Sequence, residues 1–140
     1  MANALFAAVN RLLVRTGLRP NPISSLTVVG RKTSKAYTVQ VRVIEHNGQR
    51  WLVAPYGEVN WVRNIRAAGG QAILTSGRTS HVIRVEEVSS ETAAPVLKQY
   101  LSVATAVHPH FNVTPESPLA EFAAEAPRHP VFRIVRAELR

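Results

Sequence analysis

The chain has 140 residues, 46% of them hydrophobic and 19% charged, a balance that excludes disorder and predicts one domain burying roughly two thirds of its unfolded surface. It contains no cysteine, which excludes disulfides, thiolate metal sites and cysteine nucleophiles, and no apolar run approaches the ~18 residues of a membrane span. The net charge is +8, and the first 50 residues carry eight bases (Arg11, Arg15, Arg19, Arg31, Lys32, Lys35, Arg42, Arg50) against Glu45 alone, which predicts an anionic partner: phosphate, nucleic acid, an acidic small molecule or a lipid head group.

Leu5, Val9, Leu12 and Leu13 form one apolar stripe and predict a helix over residues 3–18. Arg11 and Arg15 share another face, so the helix either docks on the core or lies on an anionic membrane surface. The apolar stretch from Ala4 to Val9 is too short for a signal peptide, so a cytoplasmic location is expected, with membrane association through this helix as the variant. A loop follows over residues 19–22. Leu26-Thr27-Val28-Val29 reads as a strand closed by Gly30, and residues 37–44 as a second, with Val39, Val41 and Val43 on one side and Thr38, Gln40 and Arg42 on the other. Asn47-Gly48 predicts a hairpin into a third strand over residues 49–54.

Pro55-Tyr56-Gly57 ends that strand, and Asn60 is placed to cap a helix over 61–68, stopped by Gly69-Gly70. Residues 71–75 and 80–85 make a hairpin about Gly77-Arg78. Ser89 or Ser90 opens a helix over 91–103, an irregular stretch runs from His108 to Pro118, and a short helix over 119–126 precedes a last strand over 131–135. About six strands arriving as hairpins predict an α+β, mainly β fold: an antiparallel barrel or strongly curled sheet with flanking helices. It is one domain over residues 1–140, with 1–22 as N-terminal helix and loop.

Three features can carry chemistry. The turn Arg31-Lys32-Thr33-Ser34-Lys35 sets cations, hydroxyls and backbone N–H groups together, a pattern that suits phosphate or carboxylate and equally suits a solvated basic hairpin. Asn60-Trp61-Val62-Arg63-Asn64 offers the N–H groups of a helix start beside a flat indole that is otherwise core. His108, His110 and His129 lack the carboxylate partners of a metal site, so no metal is expected; a histidine proton donor is the alternative use. Bases and aromatics do not interleave, so nucleic acid is not the expected partner.

Taken in order, Leu26-Thr27-Val28-Val29-Gly30-Arg31-Lys32-Thr33, the alternating strand, the Asn-Gly hairpin, Trp51-Leu52-Val53-Ala54-Pro55-Tyr56-Gly57 and Asn60-Trp61-Val62-Arg63-Asn64 resemble the deazaflavin-dependent nitroreductase family. Residues 113–119 and 126–133 are similar to one branch of it, so the likeness spans roughly residues 23–136. It implies a split β-barrel of the kind found in actinobacterial flavin and deazaflavin oxidoreductases. It also implies coenzyme F420 rather than FMN, and hydride transfer to a small electrophilic acceptor (a quinone, an enone or a nitroaromatic). Carried over by position, Arg31, Lys32, Thr33, Ser34 and Lys35 match the turn that holds the phosphate and acidic tail. Ala54, Pro55, Tyr56 and Gly57 match the segment along the ring, and Trp61, Val62 and Asn64 the helix start that completes the site.

His108 is the candidate proton donor, with Tyr100 and His110 behind it, and a homodimer is expected from the resemblance alone. The family's turn runs Arg-Lys-Ser/Thr-Gly-x-Pro-Arg; here Ser34, Ala36 and Tyr37 replace the glycine, the proline and the second arginine. These departures define the alternative: a barrel with altered cofactor preference that holds a lipid or another small ligand without catalysis.

Overall fold

The computed structural model describes residues 22–140. The helix expected over 3–18, and most of the loop after it, lie outside the described residues. Six strands, β1 (Ile23–Val29), β2 (Ala36–His46), β3 (Gln49–Val53), β4 (Gln71–Ser76), β5 (Thr79–Glu87) and β6 (Val131–Leu139), close an antiparallel barrel in the order β1-β2-β3-β6-β5-β4. The hairpins form where the turn residues direct: Asn47 and Gly48 take φ of 53° and 69°, as a type I′ turn requires. Closure comes from pairs distant in sequence, Leu26 opposite Leu74 and Leu52 opposite Phe132.

The strands extend past their apolar centres. Ile23, Ser24 and Ser25 pair with Arg42, Val41 and Gln40, and β6 runs four residues beyond Val135 because its later residues pair along β5. Side chains alternate across the wall: Leu52 and Ala54 enter the barrel interior with Leu26, Val43, Ile83 and Phe132. Trp51 and Val53 point outward into a second core with Leu97, Leu101 and Phe122. That is why residues 51–54 read as an unbroken apolar run: both faces of β3 are buried.

Helix α1 (Asn60–Ala67) follows β3, and α2 (Ser90–Val103) and α3 (Leu119–Glu125) cover the outer face. Ser89 is the cap of α2, its hydroxyl accepting from the Thr92 N–H at 3.3 Å. The expectation for Asn60 is corrected. It is the first helical residue, and Val59 takes the cap position without a side-chain bond. The turn sets this register, since the Val59 N–H donates to the Gly57 carbonyl and the Val59 carbonyl accepts from Val62 and Arg63. Within the stretch expected to be irregular, Thr105–His110 forms a 3-10 helix; another, Ala126–Arg128, leads into β6. No helix among the described residues is long and apolar enough to cross a membrane.

Candidate functional site

The basic turn links β1 to β2 and faces a cleft of about 880 Å³. Gly30 N–H donates to the Lys35 carbonyl at 2.7 Å, and Ser34 N–H to the Gly30 carbonyl at 3.3 Å, closing the turn. Ser34 sits at φ 59°, the left-handed region in which the family pattern has glycine. Tyr37, the replacement for the second arginine, braces the same turn. Its hydroxyl lies 3.0 Å from the Thr33 hydroxyl, and its ring packs so closely on Gly30 that a Cβ there would come within 2.6 Å.

Helix α1 holds the turn from the other side. Asn64 is 5% exposed, and its Oδ1 accepts from both the Arg31 backbone N–H (3.1 Å) and Arg31 Nη1 (2.8 Å). One guanidinium N–H fork is thereby oriented, while the rest of Arg31 stays at the mouth of the cleft. Trp61, one turn earlier on α1, packs its indole on Phe132 at 5.7 Å and lines the cleft, so it serves core and site together.

Of the residues expected at the site, Arg31, Lys32, Thr33, Pro55, Tyr56, Trp61 and Asn64 line the cleft. Ser34, Lys35, Ala54, Gly57, Val62 and His108 do not. Ala54 and Val62 are fully buried in the barrel core, while Ser34 and Lys35 shape the turn from behind. His108 packs back on α2, its Nε2 2.7 Å from the Leu101 carbonyl. Tyr100, at the end of α2, does line the cleft. Burial pushes its phenol up to about 12, with the neighbouring Tyr56 adding to the rise and Arg42 opposing it, so it stays protonated at neutral pH.

Sequence reasoning passed over several residues that share the cleft. Thr38, Gln40 and Arg42 contribute to the wall together with Val39 and Val41 from the other face of β2, so the alternation in the sequence does not by itself separate the cleft residues. The lining therefore divides by chemistry into a cationic and hydroxylated set, Arg31, Lys32, Thr33 and Arg42, and an aromatic and aliphatic set, Tyr56, Trp61, Tyr100 and Val107. That division fits a coenzyme with an acidic tail and a flat ring: cations suit the tail, and aromatic and aliphatic surface suits the ring.

A family profile for F420H2-dependent quinone reductases matches residues 6–114. No curated protein matches the chain. Among solved structures, an F420-H2 dependent reductase (FDR-A) is 22% identical over 83% of this chain and 96% of that one, with a TM-score of 0.49. A protein of unknown function from Agrobacterium tumefaciens is 12% identical over 86% of this chain and 51% of its own, with a TM-score of 0.58. A protein from Clostridium acetobutylicum related to general stress protein 26, of the pyridoxinephosphate oxidase family, is 11% identical over 94% and 83%, with a TM-score of 0.53. The last two share the barrel fold at identities that speak for fold alone. The profile spans the basic turn, the Pro55-Tyr56-Gly57 segment, α1 and Tyr100, and this chain belongs to the F420H2-dependent quinone reductase family, oxidoreductases that use coenzyme F420.

Proposed function

We propose that the protein reduces a small, flat, conjugated acceptor, a quinone first and an enone or nitroaromatic by the same chemistry. When bound, the coenzyme supplies the hydride. The protein's own residues bind, orient and protonate. Arg31, Lys32 and Thr33 take the phosphate and acidic tail, with Asn64 fixing Arg31, Tyr37 bracing Thr33, and Ser34 and Lys35 setting the bend. Pro55, Tyr56 and Trp61 flank the flat ring, and Ala54, Gly57 and Val62 support that wall from the core side.

Tyr100, Ala104 and Val107 would supply the wall against which the acceptor rests. As the acceptor is reduced, charge would develop on its oxygen, and the Tyr100 hydroxyl would hydrogen-bond to that oxygen and pass it a proton that solvent returns to the phenol, the role expected of His108. A phenol held protonated and shielded from water is a directed donor of this kind. The observation that carries the reading is the make-up of the cleft lining, which brings the Arg31-Lys32-Thr33 turn together with Tyr56, Trp61 and a protonated tyrosine, Tyr100, that is 5% exposed.

Reduced F420 is mixed anaerobically with the protein and a naphthoquinone, a cyclohexenone or a nitroimidazole, and reoxidation of the coenzyme is followed by absorbance. Turnover fastest with the quinone is the expected result. Micromolar F420 binding without turnover of any acceptor contradicts the acceptor assignment, and tight fatty-acid binding with no F420 binding favours the non-catalytic barrel.

A further inference from the structure

Among the described residues, the buried polar side chains are Ser24, Asn64, Glu125 and His129. Asn64 serves the basic turn. Glu125 and His129, 5% and 2% exposed, have no part in the chemistry above, and they sit where three segments meet. The His129 Nδ1 lies 2.8 Å from the Pro55 carbonyl, and Nε2 lies 2.7 Å from Glu125 Oε2. The same carboxylate oxygen accepts from the Asn112 backbone N–H at 3.2 Å. Phe111 lies flat on the imidazole, 3.8 Å between ring centres and 9° from parallel, and its other neighbour is Tyr100 at 6.5 Å.

The connections have a direction. A carbonyl only accepts, so Nδ1 carries a proton toward Pro55, and a second proton lies on the line between Nε2 and the carboxylate. One arm of the ring thus holds Pro55, which lines the cleft beside Tyr56. The other arm, through Glu125 and Asn112, holds the chain just after the Thr105–His110 turn, whose start also lines the cleft. Tyr56 meets that turn again, its ring edge-on to His110 at 4.7 Å. We propose that Glu125 and His129 form a positioning pair that sets the Pro55–Tyr56 wall of the cleft against the 104–107 wall, acting through the Pro55 carbonyl and the Asn112 amide. Neither residue touches the cleft; both decide its width. The effect on coenzyme binding rests on the functional reading above, and the effect on the wall itself does not.

Two substitutions separate positioning from general support. In His129→Asn the amide N–H stands where Nδ1–H stood and keeps the Pro55 bond, whereas in His129→Gln it reaches toward Glu125 and the Pro55 bond is lost. Both leave a similar gap under Phe111, so a purely structural role predicts equal effects. The expected result is that His129→Asn binds F420 within about twofold of wild type while His129→Gln binds about tenfold more weakly, the scale on which a supporting hydrogen bond acts through the group it orients. The backbone amide resonances of Tyr56 and Gly57 should move in the glutamine variant and stay near their wild-type positions in the asparagine variant.

Equal behaviour of the two variants in those resonances overturns the proposal. If wild type itself fails to bind F420, the functional reading falls, and the Tyr56 and Gly57 amides still decide this one. Should neither histidine variant fold, Glu125→Gln against Glu125→Leu replaces them. The glutamine amide N–H can donate to Nε2 of the ring, giving up the Asn112 bond but keeping the ring aimed at Pro55, so the Tyr56 and Gly57 resonances should stay near wild type; the leucine should displace them, and no difference between the two overturns the pairing.

Discussion

Asn64 Oδ1 accepts from two donors of one residue, the Arg31 backbone N–H at 3.1 Å and Arg31 Nη1 at 2.8 Å, tying helix α1 to the basic turn across the cleft mouth. In Asn64→Leu the shape is retained and the acceptor lost, leaving both Arg31 donors beside a buried apolar side chain. A stability loss of about 1–3 kcal/mol is expected from urea unfolding, together with roughly tenfold weaker F420 binding by tryptophan quenching. Asn64→Asp keeps the acceptor and should retain most of the affinity.

Lys32 is exposed and lines the cleft beside Arg31. Reversing its charge with Lys32→Glu should weaken F420 binding at least about tenfold while moving unfolding by less than about 0.5 kcal/mol, as exposed positions do. The difference between variant and wild type should shrink as salt is raised, because the contact is screened at the surface. Unchanged affinity at low salt would reduce the turn to a solvated hairpin.

At φ 59°, Ser34 occupies a region that costs a non-glycine residue on the order of 1 kcal/mol. Ser34→Gly should therefore raise stability by about 0.5–1 kcal/mol in denaturant and leave F420 affinity within twofold, because the bend is already formed. A loss of stability would mean that the serine hydroxyl contributes more than the strain removes.

How much of this could be read beforehand follows from the range of the interactions. Asn47-Gly48, the Ser89 cap and the alternation of β2 are local, and each appears where its neighbours specify it. The pairing of Leu26 with Leu74 and of Leu52 with Phe132 is not local, and hairpin signals do not say which edges meet. Of the residues that line the cleft, Arg31, Lys32 and Trp61 stand in short local motifs, whereas Pro55 and Tyr56 were expected there from the resemblance alone. The Glu125–His129 pair was hidden, although its four-residue spacing is visible, because its third partner is a backbone carbonyl 74 residues away. His108 looked available in the sequence for the opposite reason: its bond to the Leu101 carbonyl belongs to a turn that was expected to be irregular.

Gly70 tests the barrel rather than the cleft. Its φ is 82°, its carbonyl accepts from the Val85 N–H at 2.8 Å, and a Cβ would stand 2.2 Å from the Val85 carbonyl oxygen. The contact continues the β4–β5 ladder one pair beyond Gln71 opposite Arg84, which sets the Gly70 backbone directly against Val85. The obstacle to Gly70→Ala is the Val85 backbone, so the strand must move. A loss of about 3 kcal/mol or more is expected in thermal or urea unfolding, whereas Gly69→Ala, with nothing within 4 Å, should lose much less.

Tyr100 predicts the alkaline behaviour. Its phenol is pushed up to about 12 by burial first, with Tyr56 adding and Arg42 opposing. The unfolded chain ionises this group near its ordinary value of about 10, so between roughly pH 10 and 12 the unfolded state releases a proton that the folded state keeps. The stabilisation is therefore complete below pH 10 and is lost as pH rises toward 12, at up to about 1.4 kcal/mol per pH unit. In Tyr100→Phe that component disappears, and the fall in unfolding free energy over this window should be shallower than in wild type. At neutral pH the same substitution removes the proposed donor to the acceptor's oxygen, so kcat with a naphthoquinone should drop about 10²-fold with little change in F420 affinity. A variant that loses the alkaline slope but keeps full turnover would leave Tyr100 as a buried wall residue and move the proton to solvent.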